Sequence, residues 1–135
     1  MTGPTDQEIV LVVEDDICIR MPIAEYLRDC GYKVIEAVSA DEAIAVLTHA
    51  ETGVDIVFSD IEMPGSVDGF GLAKWIRENR PGMDVVLAGT VARSVGAAKE
   101  LCEEGPLPKP YDAQAVHNRI RRLLSVRKSS HRPSK

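Results

Sequence analysis

The chain has 135 residues and a mass of 14.7 kDa, the size of one ordinary domain, with the 44% hydrophobic and 27% charged content of a globular protein. One core is expected, with no room in these residues for a second catalytic or DNA-binding domain, and no need of disulfides or structural metal. Apolar runs such as Ile9 to Val13 fall far short of the ~20 residues of a membrane span, and Met1 to Glu8 lacks a signal-peptide core. A cytoplasmic protein without membrane contact is therefore expected. The net charge of −5 hides an asymmetry: seven bases and no acids follow Asp112, whereas the first 112 residues carry nine bases against 21 acids, a net of −12. A basic end this short is ordinarily just solvated, so nucleic acid is not an expected partner.

Ile9 to Val13 is a continuous β-branched and Leu run, the pattern of a strand buried on both faces of a parallel sheet. A helix follows, with Ile19, Ile23, Tyr26 and Leu27 on one face and Gly31 as its C-terminal stop. Lys33 to Ala37 reads as the second strand, and Ser39 to Glu42 as a capping box opening the second helix. Val54 to Phe58 is the third strand, and Phe70, Leu72, Ala73 and Ile76 mark a helix that ends before Pro81. Asp84 to Leu87 is the fourth strand, residues 91–104 a weaker helix, and Gly105 to Pro108 a short fifth strand. Asp112 is placed to cap a last helix carrying Val116, Ile120, Leu123 and Leu124.

Strict strand and helix alternation implies right-handed crossovers, hence an α/β doubly wound (βα)5 sandwich around a five-stranded parallel sheet, of flavodoxin-like topology. Residues 1–7 read as an N-terminal tail, 8–125 as the domain, and 126–135, polar and aperiodic, as a disordered basic tail. Cys18, Cys30 and Cys102 are expected to be buried or half-buried free thiols. His49, His117 and His131 read as ordinary surface histidines, and Trp75 as packing.

In open parallel sheets the binding crevice lies at the carboxyl ends of the strands, where the winding reverses. The first strand ends in Glu14-Asp15-Asp16 and the third in Ser59-Asp60, and these two strands should be central neighbours. Two like charges about 4 Å apart repel by roughly 4 kcal/mol at an effective dielectric of 20, so something positive belongs there. A hard divalent cation fits, since Mg2+ takes one or two carboxylates together with waters and phosphate oxygens. Lys109, held between Pro108 and Pro110 at the end of the fifth strand, fits as well. An isolated acid after a strand is ordinarily a helix N-cap, the favoured reading for Asp16. Asp60 is different, because Ile61 to Gly65 is a stiff turn and not a helix start, which leaves its carboxylate to face the crevice.

Together these residues resemble the receiver domain of two-component response regulators. The resemblance is carried by Val12 to Asp16 after the first strand, Ser59 to Gly65 after the third, Asp68-Gly69 opening the third helix, and Lys109-Pro110 after the fifth strand. It implies that Asp60 is the phosphoacceptor, taking a phosphoryl group from a histidine kinase or histidine phosphotransfer protein. It also implies that Asp15 and Asp60 supply carboxylate ligands to Mg2+, Glu62 its backbone carbonyl, and Glu14 a metal-bound water, while Lys109 pairs with the phosphoryl oxygens. No enzymatic turnover is implied beyond the phosphorylation and dephosphorylation of this site, and output would pass through an unidentified protein partner or onward phosphotransfer.

Two positions depart from the family pattern. Gly89 stands where the family usually has Ser or Thr, with Thr90 one residue later as a possible displaced switch hydroxyl, and Pro106 stands where an aromatic is usual. Ser66-Val67 also lengthens the loop beside the metal site by one residue. These departures keep open a degenerate receiver that binds partners without phosphorylation. A haloacid-dehalogenase-like phosphatase is a poorer reading, because its nucleophile follows the first strand rather than the third. A flavodoxin-like nucleotide binder is poorer too, because Glu14, Asp15 and Asp16 would repel a phosphate.

Overall fold

The computed structural model describes residues 7–49, 52–63, 67–89, 107–108 and 113–131. Five strands, β1 (Ile9–Val13), β2 (Lys33–Ala37), β3 (Ile56–Asp60), β4 (Asp84–Gly89) and β5 (Leu107–Pro108), form one parallel sheet in the order β2-β1-β3-β4-β5. Four helices are described: α1 (Ile17–Asp29), α2 (Ala40–Thr48), α3 (Gly69–Asn79) and α4 (Ala113–His131). The expected helix over 91–104 and the expected cap Asp112 lie outside the described residues.

The strand period of two splits the core into two layers. Val10, Val12, Ile56, Phe58, Val86 and Ala88 face α1 and α4, where they meet Ile23, Ala24, Leu27, Val116, Ile120, Leu123 and Leu124. Leu11, Val13, Val57, Val85 and Leu87 face α2 and α3, against Ala40, Ala43, Leu47, Leu72, Ala73 and Ile76. Truncating a residue such as Phe58, fully buried between strand neighbours on both sides, is expected to cost about 3–5 kcal/mol.

The helix ends follow the local chemistry. Asp16 caps α1 by accepting from the Cys18 N–H at 2.9 Å, Ser39 caps α2 through the Glu42 N–H at 3.1 Å, and Asp68 caps α3 through the Gly71 N–H at 2.9 Å. At the end of α1 the Tyr32 N–H reaches the Leu27 carbonyl at 3.1 Å and the Gly31 N–H the Arg28 carbonyl at 3.0 Å, a Schellman turn that places Gly31 at φ 104°.

Four expectations are corrected. β3 runs on through Ser59 and Asp60, two residues past the expected end at Phe58, because its neighbour β4 continues alongside and pairs Asp60 with Ala88. The C-terminal segment is helical as far as His131, against the expected disorder from 126 onward; Arg127 and Lys128 are good helix formers, and cations are favoured at a helix C-terminus. Cys18 and Cys30 are exposed, since they fall on the outer side of α1 and at its cap. Tyr26, expected on the buried face of α1, is exposed, and Ala24 takes its place beside Ile23 and Leu27. Among the described residues, no helix is long and apolar enough to cross a membrane.

Candidate functional site

The sheet order puts β1 beside β3, and the winding reverses between them, so the carboxyl ends of these two strands open one crevice. Both strands are apolar almost to their ends, and burial of these runs carries the acids that follow into the rim of the core. Glu14 and Asp60 are each only 1% exposed. Asp15 is exposed, because it is the first residue to leave the sheet.

One carboxylate oxygen from each of Glu14, Asp15 and Asp60 lies within 4.8 Å of the others. An all-oxygen, anionic donor set of this kind suits a hard, oxygen-preferring cation such as Mg2+ in its chemistry. The repulsion of converging carboxylates grows as solvent is excluded, and a cation among them would relieve it.

The backbone around the cluster is tightly held. The Glu14 N–H donates to the Ala37 carbonyl at 3.1 Å, which extends the β1 and β2 pairing by one residue, and its Oε2 accepts from the Asp16 N–H at 3.1 Å. After Asp60, the Ile61 N–H donates to the Ala88 carbonyl at 2.8 Å and the Ile61 carbonyl accepts from the Gly69 N–H at 2.9 Å. Buried Ser59 donates its hydroxyl to the Asp60 carbonyl at 2.9 Å.

Of the residues expected at the site, Glu14, Asp15 and Asp60 are brought together. Glu62 is exposed two residues beyond Asp60. Asp16 is turned to its capping role. Lys109, Thr90 and Pro106 lie outside the described residues, while Gly89 ends β4 directly after the Ala88 that pairs with Asp60.

Sequence reasoning passed over Arg20 and Glu36. Arg20 donates to the Glu14 backbone carbonyl and to the Glu36 carboxylate, each at 2.9 Å. The available signal was Glu36 itself, a lone acid inside the apolar strand Lys33–Ala37, which needs a cation near it.

Away from the crevice, His117 is half-buried rather than an ordinary surface residue. Its Nδ1 lies 3.5 Å from the Cys30 Sγ, and its ring meets Tyr32 edge-on at 5.4 Å between centroids. Burial, aided by the Arg121 charge, holds the imidazole below its usual pKa of 6.5. Burial first, then the Glu8 and Cys30 charges, push the Tyr32 phenol upward from 10.0, with Arg121 opposing.

The doubly wound sheet thus opens at its switch point into a crevice rimmed by carboxylates, the place where such folds bind ligands. The chain belongs to the response regulator receiver domain family, whose model matches residues 10–121. It is 34% identical over 116 residues to the response regulator protein FleR of Pseudomonas aeruginosa, covering 84% of this chain and 24% of FleR. It is 32% identical over 117 residues to the sensor kinase CckA of Brucella abortus, covering 85% of this chain and 12% of CckA. The chain thus spans less than a quarter of either relative's length. Among solved structures, the receiver domain of NtrX from Brucella abortus superimposes with a TM-score of 0.73 at 29% identity, covering 86% of this chain and 98% of that one. Phosphorylation and Mg2+ binding are general features of this family.

Proposed function

We propose that Asp60 accepts a phosphoryl group in a Mg2+-dependent reaction, from a histidine kinase or a histidine phosphotransfer protein, and that the chain signals through a protein partner or by passing the group onward. The convergence of Glu14, Asp15 and Asp60 carboxylates within 4.8 Å at the switch point carries this reading. Membership of the receiver family, with relatives that include a sensor kinase and a response regulator, supports the choice of donor.

In the reaction an Asp60 carboxylate oxygen attacks phosphorus, the nitrogen–phosphorus bond to the donor histidine breaks, and an acyl phosphate forms as the imidazole leaves. Mg2+, when bound, would neutralise charge on the phosphoryl oxygens, which a carboxylate nucleophile otherwise repels. Asp15 and Asp60 would hold the cation through their carboxylates, Glu62 through its backbone carbonyl, and Glu14 by way of a water. Asp60 is held at the end of a buried strand, which limits the freedom its carboxylate would lose on reacting. Lys109 would pair with the phosphoryl oxygens, and Thr90, one residue past Gly89, is the candidate displaced hydroxyl for them.

Incubating the chain with Mg2+ and acetyl phosphate tests this. A mass gain of one phosphoryl group, absent in Asp60→Asn and abolished by a chelator, is the expected result. A second reading, partner binding without phosphorylation, is favoured by one observation: Gly89 follows the Asp60-paired Ala88 and brings no hydroxyl to that edge. No adduct from acetyl phosphate or from a histidine kinase would leave that reading in place of the first.

A further inference from the structure

Arg20 is only 11% exposed in its side chain, and it sits one turn into α1, where its own N–H donates to the Asp16 carbonyl at 2.8 Å. Helical side chains lean toward the N-terminus of their helix, so a residue at this position covers the turn from which Glu14 and Asp15 leave β1. Its guanidinium forks. Nη1 donates to the Glu14 carbonyl at 2.9 Å and Nε to Glu36 Oε1 at 2.9 Å. A charge this far from water keeps its place only when its donors are satisfied, and the rigid planar fork binds both acceptors at once.

Glu36 is anchored in turn. Its Oε2 accepts from Arg28 Nη2 at 3.2 Å, and the same Nη2 donates to the Val34 carbonyl at 3.1 Å. Arg28, Glu36 and Arg20 therefore form a line of contacts that starts on the outer strand β2 and ends on the peptide joining Glu14 to Asp15. On the same residue the Glu14 N–H donates to the Ala37 carbonyl and Oε2 accepts from the Asp16 N–H, while the carbonyl accepts from Arg20.

We infer that Arg20 is a positioning residue for the cation site: by holding the Glu14 carbonyl against Glu36, it sets the direction in which the Glu14 and Asp15 carboxylates meet Asp60. The inference rests on the reading of the triad as a Mg2+ site. Partners behind metal ligands commonly change metal affinity by about 10- to 100-fold when removed.

The test is calorimetric titration of Mg2+ into the full chain and into Arg20→Lys and Arg20→Gln, with urea unfolding of each as a check on folding. Arg20→Lys keeps the charge but cannot span both acceptors, and a loss of Mg2+ affinity of about tenfold is expected. Arg20→Gln removes a positive charge, which through the field alone would tighten cation binding, so weaker binding there has a geometric origin. Phosphorylation by acetyl phosphate should return toward the wild-type rate in Arg20→Lys at saturating Mg2+. Both variants folded and binding Mg2+ as tightly as wild type would overturn the inference while leaving the site's assignment standing. A wild-type chain that shows no saturable Mg2+ binding would overturn the assignment as well.

Discussion

Gly69 packs directly on Asp60. A Cβ built at Gly69 would fall inside contact distance of the Asp60 carbonyl oxygen and 2.6 Å from the Ile61 Cα, and the Gly69 N–H already donates to the Ile61 carbonyl at 2.9 Å. The first turn of α3 is thereby clamped to the strand end that presents the acidic triad, and only a residue without a side chain permits the approach. Gly69→Ala is expected to lower stability by about 1–3 kcal/mol, as overpacking against backbone does, and to slow acetyl-phosphate labelling of Asp60. Urea unfolding alongside mass spectrometry checks both; a variant as stable and as reactive as wild type would show that the clamp is dispensable.

The triad predicts how the fold responds to Mg2+. A ligand that binds only the folded state stabilises it by about 1.4 kcal/mol at ten times its Kd. Added Mg2+ should therefore raise the urea midpoint of the wild-type chain, and Asp15→Asn, which removes an exposed carboxylate from the cluster without opening the core, should lose most of that rise. An equal rise in both would place the cation elsewhere.

The depressed pKa of His117 predicts a pH dependence with a definite sign. Burial disfavours the imidazolium in the folded state, so below pH 6.5 the unfolded chain binds more protons than the folded one. The stability tied to His117 is complete above that pH and is lost as pH falls toward the lowered folded-state value. His117→Gln should flatten that part of the profile in urea midpoints measured between about pH 5 and 8, the range in which histidine titrates. An unchanged slope would assign the loss to other groups.

Gly31 carries the turn between α1 and β2 at φ 104°, and no heavy atom lies within 4 Å of where its Cβ would be. Gly31→Ala is therefore a test of backbone strain alone, expected to cost about 1–3 kcal/mol in urea unfolding. The site lies at the opposite end of α1, so the Mg2+ titration should be unchanged. A loss of Mg2+ affinity would mean that α1 moves as one rigid body with the crevice.

Local chemistry made much of the fold legible before any coordinates. Ile9–Val13 announces a buried parallel strand by its unbroken apolar run, and Asp16 and Ser39 announce helix starts because short oxygen side chains satisfy the free N–H groups there. Strand alternation in turn predicted that β1 and β3 would be neighbours and that Glu14, Asp15 and Asp60 would share a crevice.

What needed the tertiary structure were relations between residues remote in the chain and dependent on packing. Glu14 and Asp15 are adjacent in sequence, yet one is sealed in and the other exposed, since the pairing with Ala37 carries β1 exactly one peptide further than its apolar run. The Arg20, Glu36 and Arg28 line joins α1 to β2 across 16 residues, and the His117 to Cys30 contact joins α4 to α1 across 87. No local propensity encodes such pairings. A sequence by itself specifies which residues prefer a strand, a cap or a crevice edge, whereas the side chains that hold the crevice in shape are chosen by how helices and sheet close over one another.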